Sequence, residues 1–205
     1  MEDYNVVSYN LGTGSQVSVL NEKLTFDTDV YQTRLFFFGK YLNTIPRVPC
    51  GRALNVFVNF GRDVIYRYTN VEVEDSKLWN VLEEAALTCD ENELEVDMSF
   101  FVNSISDKTR GCINNISEKN FVPGTLMKSA LEQMANNYYI VKERLISDIS
   151  KINKVIFSGG VASNNPLLRE KIMDRFMDCD VSVASNETFY GLWKYVNGVN
   201  DGRLQ

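Results

Sequence analysis

Polar and apolar residues alternate along the first stretch of the chain. That two-residue period predicts extended strands over Tyr4–Leu11 and Gln16–Leu20. Gly12-Thr13-Gly14-Ser15 lies between them and predicts a tight turn in which glycine takes positive φ. Tyr31–Phe38 is dense in β-formers and predicts a third strand, which Gly39 turns into a partner over Tyr41–Ile45. Pro46 and Pro49 are expected to end that pairing, because proline donates nothing to a ladder.

The period then becomes helical. Over Gly51–Tyr68 the residues Leu54, Phe57, Phe60, Val64 and Ile65 fall near one face, which is expected to be core. A second helix is predicted from about Lys77 to Cys89, capped by Asp75 or Ser76, with Leu78, Val81, Leu82 and Ala85 as its buried stripe. Glu93–Val102 reads as extended, and residues 103–122 are polar and turn-rich. A long helix follows from about Pro123 to Ser147, with Leu126, Ala130, Leu131, Met134, Tyr138, Val141 and Leu145 as its apolar stripe.

The last third has a strand–turn–helix–strand–helix order. Lys154–Ser158 is a short strand of the buried type, and Gly159-Gly160 breaks it. Asn165-Pro166 opens a helix, with Asn as cap and Pro at the first helical position. Asp180–Ala184 is the next strand and Glu187–Val196 the final helix. Strands alternating with helices argue for an α/β sheet.

Composition narrows the chemistry. The 205 residues suffice for one well-packed domain, and a hydrophobic content of 44% predicts a buried core. The formal charge is -6, and the 21 Lys and Arg residues form no basic run, so nucleic-acid binding through a phosphate-facing patch is not expected. There is no histidine, which removes histidine catalysis and Cys/His zinc sites. Cys50, Cys89, Cys112 and Cys179 form no CxxC pair and read as reduced thiols that pack. Any metal would be held by oxygen ligands, which suits Mg²⁺. No apolar run has the length of a membrane span and the first residues are not those of a signal peptide, so a cytoplasmic location and no membrane partner are expected.

Two segments carry candidate chemistry. Gly159-Gly160-Val161-Ala162-Ser163-Asn164-Asn165 joins a strand end to a helix start, the place where open α/β sheets bind ligands. Its glycines let a flat ligand or a phosphate approach the backbone, and Ser163, Asn164 and Asn165 offer neutral donors and acceptors. A plain βα connection with a cap fits the same residues. It is not a Walker A loop, since no Gly-Lys-Ser/Thr follows, and it lacks the third glycine of a dinucleotide fingerprint. Gly12-Thr13-Gly14 reads either as an ordinary hairpin or as one whose N–H groups and hydroxyls meet a phosphate.

Taken together, these segments resemble motifs of the FGGY carbohydrate kinases. Phe157 to Leu168 looks like that family's adenosine motif, and Tyr9 to Ser18 like its second phosphate motif. Gln32-Thr33-Arg34-Leu35-Phe36-Phe37 and Gly51-Arg52-Ala53-Leu54-Asn55 are similar to the sedoheptulokinase-like branch, with Leu35 where that branch shows proline. The resemblance implies a single ribonuclease-H-like domain of the actin-like ATPase superfamily over residues 1–205, an α/β fold with a mixed sheet flanked by helices. It implies ATP or ADP with Mg²⁺ as cofactors, with Gly12, Thr13 and Gly14 at the β/γ-phosphates. Gly159 and Gly160 would lie at the α-phosphate and ribose, Ser163 beside them, and Asn164 at the adenine. Glu187 and Gly191 resemble the motif closing the adenosine pocket, where this chain has Leu192 and Trp193 in place of small residues.

Members of that family pair two such domains around the active site. The resemblance places this chain at the second, with the sugar contacts and the proton-accepting aspartate belonging to the first. No Asp-x-Gly-Thr pattern occurs, and Asp3, the one acid near the expected place of the base, lies in unlike surroundings. The isolated chain is therefore expected to transfer phosphate negligibly, to meet sugar only together with an N-terminal domain, and to expose an apolar face that favours a homodimer. The alternative is a non-catalytic nucleotide-binding or interaction module.

Overall fold

A computed structural model describes residues 5–25, 27, 29–90, 93–146, 151–174, 176, 179–185 and 187–200. Strand β1 (Val6–Leu11) pairs antiparallel with β2 (Ser15–Asn21), and β2 pairs antiparallel with β4 (Tyr41–Val48). A short edge strand, β3 (Gln32–Leu35), pairs antiparallel with β4. On the other side β1 runs parallel to β7 (Lys154–Ser158), and β7 runs parallel to β8 (Asp180–Ala184). The result is a six-stranded mixed sheet in the order β3-β4-β2-β1-β7-β8. The alternation seen in the sequence is realised here: Val7, Tyr9 and Leu11 of β1, Val17 and Val19 of β2, and Val155 and Phe157 of β7 are all buried.

Helix α3 (Pro123–Leu145) packs against this face through Ala130, Leu131, Met134, Tyr138 and Val141. Tyr9 stacks on Phe157 at 5.5 Å between ring centroids and meets Tyr138 edge-on at 5.8 Å. Around α3 lie α1 (Gly51–Thr69), α2 (Asp75–Thr88) and α5 (Pro166–Met173), with the single-turn α4 (Gly160–Asn164) just before α5. The last helix is α6 (Glu187–Asn200). A separate two-stranded ladder joins β5 (Glu95–Asp97) to β6 (Cys112–Asn114).

Several expectations change. Pro46 does not end β4. The strand runs on to Val48 through a bulge opposite Ser15 and Gln16, where Arg47 takes φ 59°. β3 pairs only with Tyr41–Thr44, so at Pro46 one side of β4 has no ladder that needs an N–H. Tyr31–Phe38 does not continue as one strand: after Leu35 the chain forms a 3₁₀ turn over Phe37–Gly39, closed by Phe36 N–H donating to Lys40 O at 2.7 Å. Glu93–Val102 is extended only over Glu95–Asp97, because the Asp97 carboxylate accepts the Ser99 N–H at 3.0 Å and turns the backbone.

The apolar stripe of the first helix is core only in its first half. Ala53, Leu54, Phe57 and Val58 are buried, whereas Phe60 is 67% and Val64 49% exposed. Beyond Val58 this helix meets α2, through Gly61 beside Leu78 and an Arg62–Asp75 ion pair. On α2, Leu78 and Ala86 are buried and Val81 faces outward. Tyr4 and Ser147 lie outside the described residues.

Candidate functional site

The turn after β1 is held by the helix it precedes in space. Gly51 N–H donates to Gly12 O at 3.1 Å and Arg52 N–H to Thr13 O at 2.8 Å. The first amides of α1 thus find acceptors in the hairpin, as a helix N-terminus requires. Neither Gly12 nor Gly14 takes positive φ, contrary to the expectation from the turn's composition. The glycine that the contact demands is Gly51, where a Cβ would sit 2.8 Å from Gly12 O and 3.0 Å from Val161 Cγ2.

The two glycines after β7 have different roles. Gly159 has φ 91°, and a Cβ there would lie 2.5 Å from Leu11 O of the neighbouring strand. It lets the chain leave the sheet against β1. A Cβ at Gly160 would meet nothing within 4 Å. Gly160 is therefore the residue with open space in front of it. Ser163 turns back on its own helix, with N–H and Oγ both donating to Gly159 O, at 3.0 and 3.1 Å.

These turns lie at the carboxyl ends of the adjacent parallel strands β1 and β7. Between them and α2 is a cleft of about 610 Å³. Gly12, Thr13 and Gly51 line one part, Gly160, Val161, Asn164 and Asn165 another, with Asn55 of α1 and Ser76, Trp79, Asn80 and Glu83 of α2 completing it. Gly12, Thr13, Gly160 and Asn164 are thus brought together, while Gly14, Gly159 and Ser163 do not line the cleft. The side chain of Glu187 lies outside what is described; its backbone opens α6.

Glu83 is the ionisable side chain in this lining. Its Oε1 accepts a hydrogen bond from Asn165 Nδ2 at 2.9 Å, and Asn165 Oδ1 accepts the Leu168 N–H at 2.9 Å, capping α5. Partial burial pushes the Glu83 carboxyl above its ordinary value, and the hydrogen bond from Asn165 offsets part of that. A second hollow of about 160 Å³, walled by Glu84, Leu87, Leu131 and Leu167, adjoins the cleft at Asn80, Glu83 and Asn165.

No family model matches the chain, and no curated protein is similar to it in sequence. Solved structures are similar in fold. A xylulose kinase from Rhodospirillum rubrum superposes over 90% of this chain with a TM-score of 0.70 at 14% identity. A xylulose kinase from Bifidobacterium adolescentis gives 0.67 over 90% at 16% identity, and a gluconate kinase from Lactobacillus acidophilus 0.64 over 88% at 15% identity. The chain has the fold of the matching part of these kinases. It spans only 34 to 36% of the length of those three kinases.

Within that sugar-kinase fold, the wall provided by α2 was missed by sequence reasoning. Ser76, Trp79, Asn80 and Glu83 recur at the spacing of one helix face, flanking buried Leu78. That polar face beside an apolar stripe was legible as a pattern, but solvent and a cleft leave the same mark on a sequence.

Proposed function

We propose that the chain is the nucleotide-binding part of a carbohydrate kinase of the FGGY type, corresponding to that family's C-terminal domain. The observation that carries the reading is that Gly12 and Thr13, and, remote from them in sequence, Gly160, Val161 and Asn164, line one cleft at the ends of parallel strands in a sugar-kinase fold. Adjacent parallel strands β1 and β7 bring both turns to the same edge, so Gly12 and Thr13 line the cleft together with Gly160 and Asn164.

The residues fit ATP or ADP. Gly160 leaves the backbone uncovered, and the lining is neutral except for Glu83. Gly12 and Thr13 would position the terminal phosphates, with the turn held rigid by its two hydrogen bonds to α1. Gly160 would allow close approach of the ribose and first phosphate, and Asn164 would offer its amide to the base. ATP supplies the phosphoryl group that the complete enzyme passes to a sugar hydroxyl. Mg²⁺ would arrive with the phosphates, held by their oxygens. The proton acceptor and sugar contacts would come from the remaining part of the two-domain arrangement, and alone the chain would transfer phosphate negligibly.

Calorimetric titration with ADP and Mg²⁺ tests this. Binding that is lost in Gly160→Val and weakened in Asn164→Asp supports the reading. No heat at millimolar ADP removes it and favours a non-catalytic interaction module. Sugar-dependent ADP release by the chain alone, at a rate typical of kinases, would remove the assignment of the base to another domain.

A further inference from the structure

We infer that Glu83 reads the nucleoside part of the ligand, accepting a hydrogen bond from one of its hydroxyl or amine groups while Asn165 holds the carboxylate in place. The inference rests on the nucleotide reading above and extends it to a residue on α2 that no motif contains.

A carboxylate has two oxygens and accepts only. One oxygen of Glu83 is occupied by Asn165 Nδ2 at 2.9 Å. Asn165 is itself fixed, because its Oδ1 caps α5 through Leu168 N–H and the residue is 2% exposed. This orients the carboxylate toward a cleft of about 610 Å³ with acceptor capacity left over. The residue also borders the adjoining hollow, so it stands where the two cavities meet.

The sign of the charge limits what binds beside it. An anionic phosphate next to Glu83 is repelled, and a neutral group that only accepts leaves the carboxylate desolvated without a partner. The favourable neighbour is a neutral donor. In a nucleotide those donors are the ribose hydroxyls and the exocyclic amine of the base. Trp79, one turn earlier on the same helix, also lines the cleft and offers an apolar surface beside that position.

The test is calorimetric titration of the chain and of Glu83→Gln with ADP, 2′-deoxy-ADP, 3′-deoxy-ADP and IDP. The glutamine keeps an oxygen for Asn165 but presents a donor where the carboxylate presented an acceptor. ADP affinity is expected to fall about tenfold, the worth of a hydrogen bond to a charged group. If the partner is a ribose hydroxyl, the deoxy analogue lacking it is hardly affected by the substitution; if it is the adenine amine, IDP is hardly affected. Glu83→Gln binding all these ligands as tightly as the parent, or more tightly, overturns the inference and leaves the nucleotide reading intact. Discrimination by the parent chain is a second measurement that needs no variant: equal affinity for ADP, 2′-deoxy-ADP, 3′-deoxy-ADP and IDP also overturns it. A parent chain that binds no ADP removes both readings.

Discussion

Asn165 and Glu83 are joined by a 2.9 Å hydrogen bond that ties the start of α5 to the middle of α2 across the floor of the cleft. The same asparagine caps its own helix through Leu168 N–H. One amide therefore serves two ends, its oxygen turned to the cap and its nitrogen to the carboxylate. Asn165→Ala is expected to cost about 1 to 2 kcal/mol for the lost cap, read as a lower midpoint in urea unfolding. Asn165→Asp keeps the cap acceptor but sets a second carboxylate against Glu83.

The pH dependence of that second variant has a defined sign. Burial raises the Glu83 carboxyl, so in the folded state its ionised form is disfavoured. Stability is retained below the ordinary carboxylate range and falls as pH rises through the raised folded value. Asn165→Asp enlarges this loss. Its midpoint is expected to lie closest to that of the parent in acid and furthest below it at neutral pH, in melts recorded across that range. A pH-independent difference would exclude the charge contact as its cause.

The two glycines after β7 predict opposite outcomes for the same change. Gly159→Ala places a methyl 2.5 Å from Leu11 O at φ 91° and is expected to destabilise by about 2 kcal/mol or more. Gly160→Ala adds a methyl in open space at the first residue of a helical turn, and stability is expected to hold or rise by a few tenths of a kcal/mol. Thermal melts of the pair check this. Nucleotide affinity should fall in Gly160→Ala despite its sound fold.

Tyr9 is fully buried between Phe157, Tyr138 and Phe176, and its hydroxyl has no hydrogen-bond partner among the described residues. Burial alone holds this phenol far above its usual value. Tyr9→Phe keeps the stacked ring and removes the orphaned group, so the variant is expected to be about 1 kcal/mol more stable by chemical denaturation. A loss of similar size would mean the hydroxyl has a partner in solution.

Cys50 lies at the start of α1, directly under the hairpin turn, and burial pushes its thiol up to about 11 against weaker opposing hydrogen bonds from Tyr138 and Ser15. At pH 8 it is expected to resist alkylation in the folded chain, while exposed Cys112 reacts readily. Mass spectrometry after a short iodoacetamide pulse distinguishes them. Nucleotide binding should survive labelling of Cys112.

Where an element's own residues set its conformation, the sequence alone determined it. Lys154–Ser158 and Asp180–Ala184 were legible as strands to the residue, and Asn165-Pro166 as a capped helix start. The motifs around Gly12 and Gly159 pointed to the fold by resemblance, and at Gly159 the close approach to Leu11 O admits few residue types. Tertiary structure alone decided which side of each pattern met protein and which met solvent. Phe60 and Val64 carry core periodicity, yet both are exposed. Pro46 reads as a strand end, yet β3 stops short of it, so one side of β4 has no ladder there. Nothing in the helical pattern singles out Glu83, which only α5 marks by bringing Asn165 within 2.9 Å. Periodicity reports that a face is apolar or polar; what stands opposite it depends on contacts between residues far apart in the chain, and those exist only once the sheet has formed.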